Sequence, residues 1–221
     1  MGDGAFTEYY IPGGEGNAEF TEKRSRFIGR VVNVTSEEDA RLVIAQERQK
    51  YYDARHTCWC YIIRDGGVMR YSDDGEPQGT AGQPMLEVFR RNGIENVCCT
   101  VTRYFGGILL GAGGLVRAYS HTAKLALDAA GISVVRMWKA VEAECSYSQY
   151  ERVLIETEHF GGIVENTDFG AAVLLSVLIP EKKAEEYMLR LTDMSAGTIF
   201  AMEAGSRFMP APFKPPLTEL K

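Results

Sequence analysis

Hydrophobic and polar residues follow two different periods along the first two thirds of this chain. Segments rich in β-branched and aromatic residues alternate with segments whose apolar residues recur every three or four positions. Glycine, proline, asparagine and aspartate occupy the stretches between them, as is typical of turns. This pattern predicts strands at residues 6–11, 18–20, 27–32, 57–63, 68–71, 96–102 and 132–135, and helices at residues 36–50, 83–92 and 115–130.

The last third of the chain has a different order of elements. The order β-α-β-β-α-β is typical of a ferredoxin-like domain. It is formed by predicted strands at residues 138–145, 163–169, 171–179 and 197–203 and predicted helices at residues 149–160 and 180–194. We therefore expect an α+β protein of two domains, at residues 1–137 and 138–208, with a proline-rich tail at residues 209–221.

The charge of the chain is distributed unevenly between these two parts. The formal net charge is −6, with 17 basic and 17 acidic residues through Ala140 and 7 basic and 13 acidic residues after it. The acidic excess therefore belongs to the last third, which supports the division into two domains. It also argues against nucleic-acid binding by charge alone in the second domain.

Composition indicates a cytoplasmic protein. Apolar residues make up 45% of the chain and charged residues 24%, and no apolar run reaches the ~18 residues of a membrane span. The acidic, mixed N-terminus is unlike a secretory signal peptide. The spacing of cysteine and histidine does not suggest a zinc site, and we expect no metal or cofactor. Reduced, buried thiols are expected at five positions within the chain: Cys58, Cys60, Cys98, Cys99 and Cys145.

An acidic loop is predicted at residues 71–82. It contains three carboxylates, Asp73, Asp74 and Glu76, together with three glycines, a proline and the hydroxyl of Thr80. Glycine and proline supply special backbone angles, and aspartate side chains accept hydrogen bonds from nearby backbone amides. The spacing of the carboxylates does not match that of a calcium-binding EF-hand. We therefore expect one ordered polar loop.

A glycine-rich loop is predicted at residues 102–114, after a buried strand. Arg103 leaves that strand, and we expect it to form a bidentate ion pair with a carboxylate of the acidic loop. The spacing matches neither a phosphate-binding P-loop nor a dinucleotide fingerprint, so packing and ligand binding are equally supported. The candidate binding residues of this loop are Tyr104, Gly106, Gly107, Gly113 and Gly114, with Arg117 in the helix that follows.

Two basic segments flank these loops in the predicted topology. Arg55 and His56 open a strand whose hairpin partner leads into the acidic loop, so His56 is expected to face its carboxylates. A basic cluster before residues 27–32 is either a solvated entry into the strand or a phosphate contact. Its members are Lys23, Arg24 and Arg26.

Long motifs in the first domain resemble the IMPACT family, in its bacterial YigZ branch. The resemblance spans nearly all of residues 18–130, and the second domain is similar only by its pattern of elements. The motifs that carry it are Ser25–Ile28, Ser72–Gly82, Arg103–Gly111 and Gly113–Tyr119. The resemblance implies a first domain similar to domain IV of elongation factor G. Eukaryotic relatives regulate translation initiation through an additional domain that this chain lacks, so their partner does not carry over.

Three hypotheses follow for the function. In the first, the protein is a translation-associated regulatory factor whose two loops bind RNA or a ribosomal component, with the cations near the loops contacting phosphates. In the second, a hydrolase uses His56 with Asp73, Asp74 and Glu76 on a small substrate. In the third, the loop residues only hold the fold together. The absence of a GxSxG elbow and of a metal-ligand set leads us to favour binding over catalysis.

Overall fold

The computed structural model describes residues 7–212 and divides into two compact units. Most of the first unit is residues 9–134, and most of the second is residues 135–210. The protein is therefore an α+β protein of two units, as predicted. Within residues 7–212, no helix combines the length and the apolar character that crossing a membrane requires.

The first unit is built on one antiparallel sheet. The elements are β1 Tyr9–Pro12, β2 Gly16–Glu22, β3 Ser25–Asn33, α1 Glu37–Lys50, β4 His56–Ile63, β5 Val68–Ser72, α2 Gly82–Arg91, β6 Val97–Tyr104 and α3 Ala112–Ala130. The strands of the sheet lie in the order β2-β3-β6-β4-β5, so that β6 is central and buried, as the sequence predicts. Strand β1 bonds through Tyr10 to the segment before β6.

Helices cover both faces of this sheet. Helices α2 and α3 pack on one face, over a core that includes Phe27, Met85 and Tyr119. Helix α1 packs on the opposite face through Ala40 and Ile44. Ser36 is the N-cap of α1, because its Oγ accepts a hydrogen bond from the amide of Asp39.

Several chain segments meet at one end of this sheet. Strand β6 ends where β3 and β4 begin, since Arg103 is opposite Phe27 on one side and His56 on the other. Strand β5 also ends here, and α2 and α3 start from the loops that follow β5 and β6. We call this end the loop end. It consists of residues 23–24, 55–56, 73–82 and 105–111.

The second unit has the predicted ferredoxin-like order. The elements are β7 Ile132–Cys145, α4 Tyr150–His159, β8 Ile163–Phe169, β9 Val173–Pro180, α5 Glu181–Met194 and β10 Phe200–Pro212. Strand β9 pairs antiparallel with β7 and β8, and β10 pairs with β7, which gives the strand order β10-β7-β9-β8. The core of this unit includes Val153, Leu175 and Tyr187.

Two predicted boundaries are wrong. The strands expected at residues 132–135 and 138–145 form the single strand β7, because neither glycine nor proline interrupts the β-forming residues between them. The last strand continues to Pro212, so the residues expected to begin a tail at Met209 are part of β10. The indole of Trp138 donates a hydrogen bond to the Met209 carbonyl, which fixes this segment. Residue 6 of the first predicted strand and residues 213–221 of the predicted tail lie outside the described residues.

The prediction of reduced, buried thiols is confirmed for all five cysteines, which are free and buried. Burial raises the pKa of the Cys58, Cys60, Cys98 and Cys145 thiols. Because the thiolate is the reactive form, these thiols are protected from reaction in two ways: they are buried, and they stay protonated.

We expect native protein to react slowly with an aromatic disulfide reagent at neutral pH, and unfolded protein to release five equivalents at once. Absorbance of the released thiolate measures both stages. A cysteine that reacts rapidly in the native protein would contradict this burial.

Gly16 allows close packing of β2 against the last turns of α3. A Cβ atom at this position would lie 2.1 Å from the Ala126 carbonyl oxygen and 2.4 Å from the Ala130 amide nitrogen. We expect Gly16→Ala to lower the free energy of unfolding by about 1–3 kcal/mol, because backbone must shift to admit the methyl group. Denaturant unfolding measures the change.

The matched control is Gly14→Ala, because a Cβ there approaches no atom closer than 3.9 Å. Its free energy of unfolding should stay within about 0.5 kcal/mol of the wild-type value. Equal losses for both variants would show that the contact with α3 is not the cause.

Candidate functional site

A buried ion pair joins the two predicted loops. Arg103 Nη1 donates to Glu76 Oε1 at 2.7 Å, with side chains only 7% and 3% exposed. The hydroxyl of Tyr119, on α3, donates to the same oxygen at 2.8 Å, and burial raises the pKa of Tyr119, which keeps it protonated. The prediction that the loops meet is confirmed. The pair uses one guanidinium nitrogen and is not bidentate as expected.

The rest of the Arg103 side chain holds two further segments in place. Its Nη2 donates to Ser25 Oγ at 3.3 Å, and the same oxygen accepts the Gly106 amide at 3.2 Å. The guanidinium lies over two aromatic rings, 5.5 Å from the centroid of Phe27 and 5.4 Å from that of Phe105. Arg103 therefore connects the start of β3, the acidic loop and the glycine-rich loop.

Asp73 stabilises the start of α2. Its carboxylate accepts three backbone amides, from Gly79 at 2.8 Å, Ala81 at 3.0 Å and Gly82 at 2.8 Å. Ala81, the residue at the helix boundary, has no side chain that could do this. A carboxylate at this position bonds unsatisfied amides and complements the helix dipole. The role of Asp73 in the structure is to hold the acidic loop against α2.

Asp74 joins the acidic loop to α1 and β4. Its two oxygens accept the Thr57 amide at 2.7 Å and Arg48 Nη2 at 2.6 Å. The residue has a positive φ of 43°, which the amide's bond to Ser72 Oγ helps to maintain. Arg48 was not among the predicted site residues, and its only sign in the sequence is a basic residue in the last turn of α1.

His56 contacts the acidic loop through backbone and not through a carboxylate. Its Nδ1 lies 2.8 Å from the Asp74 carbonyl oxygen, so Nδ1 carries the proton and donates. Asp73, Asp74 and Glu76 each bind protein groups instead. A hydrolase mechanism needs a carboxylate positioned to exchange a proton with His56, and among the described hydrogen bonds none joins these carboxylates to it.

Thr80 and Tyr104 also serve the local structure. Thr80 is buried, and its hydroxyl donates to the Pro77 carbonyl at 2.6 Å. Tyr104 follows Arg103 on the strand and so lies on the opposite face, where its hydroxyl donates to Asp53 at 2.6 Å. That hydrogen bond raises the pKa of Tyr104 to about 12. The structure therefore places Tyr104 away from the Arg103 side of the sheet.

Two exposed cations occupy the turn between β2 and β3. Lys23 and Arg24 have positive φ angles of 45° and 65°, in a two-residue turn that normally contains asparagine and glycine. Neither takes part in the ion pairs of the described residues, and the same is true of Arg55. Arg26 differs, because Glu19 binds it through two hydrogen bonds of 2.7 Å.

Gly106 lets this turn approach the glycine-rich loop. A Cβ at Gly106 would lie 2.0 Å from the carbonyl carbon of Arg24, so only glycine fits. The glycine-rich loop around Gly106 contains Gly107, with a φ of 83°, and apolar side chains open to solvent. The exposed apolar side chains, which were not predicted from the sequence, are Phe105, Ile108 and Leu109.

The remaining predicted residues lie at the start of α3. Gly111 precedes the helix with a φ of 71°, and Gly113 and Gly114 are in its first turn. Gly114 leaves room for Leu110, whose Cβ would be 2.9 Å from an added methyl group. Arg117 is exposed and lines an open groove of about 980 Å³ between α2 and α3, so the structure places it apart from the ion pair.

We expect Arg103→Met to lower the free energy of unfolding by about 3–5 kcal/mol, because it leaves the Glu76 carboxylate buried without its partner. The double variant with Glu76→Gln should lose less, since it removes that charge. Urea unfolding monitored by tryptophan fluorescence measures both values.

The control is Arg26→Ala, which removes an ion pair whose side chains are 51% and 50% exposed. It should cost no more than about 1 kcal/mol. If Arg103→Met costs no more than this control, the buried pair does not stabilise the loop end.

Comparison with known proteins supports the resemblance found in the sequence. Residues 23–127 match the profile of the Impact N-terminal domain, and residues 144–198 match a domain of unknown function, DUF1949. A solved structure described as that of a hypothetical protein is 32% identical, with a TM-score of 0.56. The alignment covers 90% of this chain and 98% of that one.

Named relatives come from several bacteria. The IMPACT family member YigZ of Escherichia coli is 35% identical over 180 residues, which cover 80% of this chain and 88% of the relative. The IMPACT family member YvyE of Bacillus subtilis is 30% identical over 190 residues, which cover 86% and 88%. The motifs, the fold and these relatives together establish that the chain belongs to the IMPACT family.

Proposed function

We propose that this protein is a translation-associated regulatory factor that binds RNA through the loop end. The observation that carries the proposal is the set of exposed cations there, Lys23, Arg24 and Arg55, which the described ion pairs leave unneutralised. Strands β3 and β4 flank β6, so the turn and Arg55 are separated by about 10 Å, two strand spacings. Phosphates are the natural partners of such cations.

The acidic loop does not oppose this binding, although it contains three carboxylates. Glu76 is buried against Arg103, and the Asp73 carboxylate accepts three backbone amides. The negative charge of Asp74 is balanced by its ion pair with Arg48. The negative charges of the acidic loop are thereby compensated locally, and Lys23, Arg24 and Arg55 contribute a positive potential that favours the approach of RNA.

The helix termini add to that potential. The N-terminal ends of α2 and α3 both lie at the loop end, and each carries a partial positive charge. Asp73 occupies the end of α2, whereas α3 starts at Gly111 without a side-chain cap. The α3 terminus therefore adds to the attraction of a polyanion.

The link to translation rests on the family. The resemblance to eukaryotic relatives that regulate translation initiation supports a role in the same process. Domain IV of elongation factor G, which the first unit is expected to resemble, belongs to a factor that works on the ribosome. Ribosomal RNA is therefore the ligand to test first.

We expect ribosomal RNA to bind with an affinity that falls as salt rises, because each phosphate contact releases counterions. The triple variant Lys23→Ala, Arg24→Ala and Arg55→Ala should bind at least about 10-fold more weakly and show a shallower salt dependence. Filter binding at four salt concentrations measures both quantities.

A matched triple variant in the second unit removes the same amount of charge from exposed positions: Arg152→Ala, Lys182→Ala and Lys183→Ala. Its affinity should stay close to that of the wild type. A flat salt response of the wild type, or equal losses for both triple variants, would refute recognition of phosphates by the loop end.

A further inference from the structure

Phe105 is an exposed aromatic ring on a rigid support. Its side chain is 50% exposed, although it lies next to the buried core of the first unit. The Arg103 guanidinium lies over the ring, 5.4 Å from its centroid, and is itself fixed by Glu76. One part of the ring is therefore held by the protein, and half of its surface remains open to solvent.

The two cations of the turn are neighbours of this ring. Gly106 directly follows Phe105, and its backbone contacts the carbonyl carbon of Arg24 so closely that a Cβ would lie at 2.0 Å. The Gly106 amide also donates to Ser25 Oγ, which follows Arg24 in the chain. These contacts keep the ring and the turn together.

Lysine and arginine strain the backbone of this turn. Residues other than glycine are disfavoured at positive φ, by roughly 1–2 kcal/mol at each position. Both Lys23 and Arg24 have such angles, where asparagine and glycine would be relaxed. Strain of this kind is often found at functional sites, so the two angles support a role for the side chains of Lys23 and Arg24.

The geometry points to Phe105 as a stacking platform for an unpaired base of single-stranded RNA, with Lys23 and Arg24 contacting the adjacent phosphates. This inference rests on the proposed function and specifies its ligand. Aromatic rings beside a basic groove bind single strands because every base offers a flat face. In a duplex that face is covered by neighbouring base pairs, so the ring would have nothing to stack on.

An apolar protein segment is the competing occupant, since Ile108 and Leu109 are also exposed. Such a segment would cover the apolar side chains but leave Lys23 and Arg24 without anions. A polyanion with flat bases satisfies both features. Charge complementarity therefore favours single-stranded RNA.

The test is fluorescence anisotropy with a labelled 12-nucleotide oligouridine and with an RNA duplex of equal length. We expect the single strand to bind more tightly than the duplex. Phe105→Ala should weaken binding of the single strand by roughly 5- to 150-fold, the range for losing one stacked base, while the salt dependence stays as in the wild type. Phe105→Tyr, which keeps the flat ring, should bind like the wild type.

Two further variants separate stacking from other effects. Phe105→Leu keeps apolar bulk without a flat ring and should lose affinity like Phe105→Ala. Leu109→Ala removes a side chain that is 82% exposed and should leave affinity for RNA unchanged. Urea unfolding of each variant ensures that affinities are compared between folded proteins.

The outcomes of these measurements distinguish failure of the stacking inference from failure of the proposed function. If Phe105→Ala and Phe105→Leu bind like the wild type while the variant lacking Lys23, Arg24 and Arg55 loses affinity, stacking is wrong and the proposed function stands. Equal losses for Phe105→Ala and Leu109→Ala would also overturn stacking, because an aliphatic side chain would then contribute as much to RNA affinity as the flat ring does. If the wild type binds ribosomal RNA but neither oligonucleotide, stacking is wrong and the proposed function stands. If it binds none of the three, both proposals fall.

Discussion

The loop end depends on the ion pair between Arg103 and Glu76. Four segments meet there, since Arg103 comes from β6, Glu76 from the acidic loop, Tyr119 from α3 and Ser25 from β3. Either charge alone would be buried without compensation, which costs several kcal/mol. The segments are therefore stable in this arrangement only together, and the pair sets the geometry of the end where the sheet's loops converge.

This arrangement explains why a loop rich in carboxylates need not be catalytic. Asp73 caps α2, Asp74 binds α1 and β4, and Glu76 neutralises Arg103. Each carboxylate connects secondary-structure elements, and those of Asp73 and Asp74 also accept backbone amides that would otherwise lack partners. The side chains that these contacts leave exposed at the loop end include the cations Lys23, Arg24 and Arg55 and the ring of Phe105, in a chain whose overall charge is negative.

The contacts of Arg103 and Gly106 also make the exposed surface of the loop end rigid. The turn at Lys23 and Arg24 is packed against Gly106, and Phe105 is supported by a guanidinium that cannot move without breaking a buried ion pair. A surface that is already ordered loses little conformational entropy when it binds. The strained backbone of the turn is maintained by these same contacts, so fold stability and the proposed binding surface share one set of interactions.

The local pattern of residues was sufficient to predict the helices, the ferredoxin-like order of elements and the burial of β6, because periodicity and turn residues act over short stretches. It also predicted that the two polar loops meet. It did not predict that β7 is continuous, that Arg48 binds Asp74, or that His56 meets a carbonyl. Those outcomes depend on which strands pair and in what register, and register is decided by contacts between residues far apart in the chain. The exposure of Phe105 has the same origin: its environment is set by Arg103 and Gly106 in three dimensions, not by its neighbours in sequence.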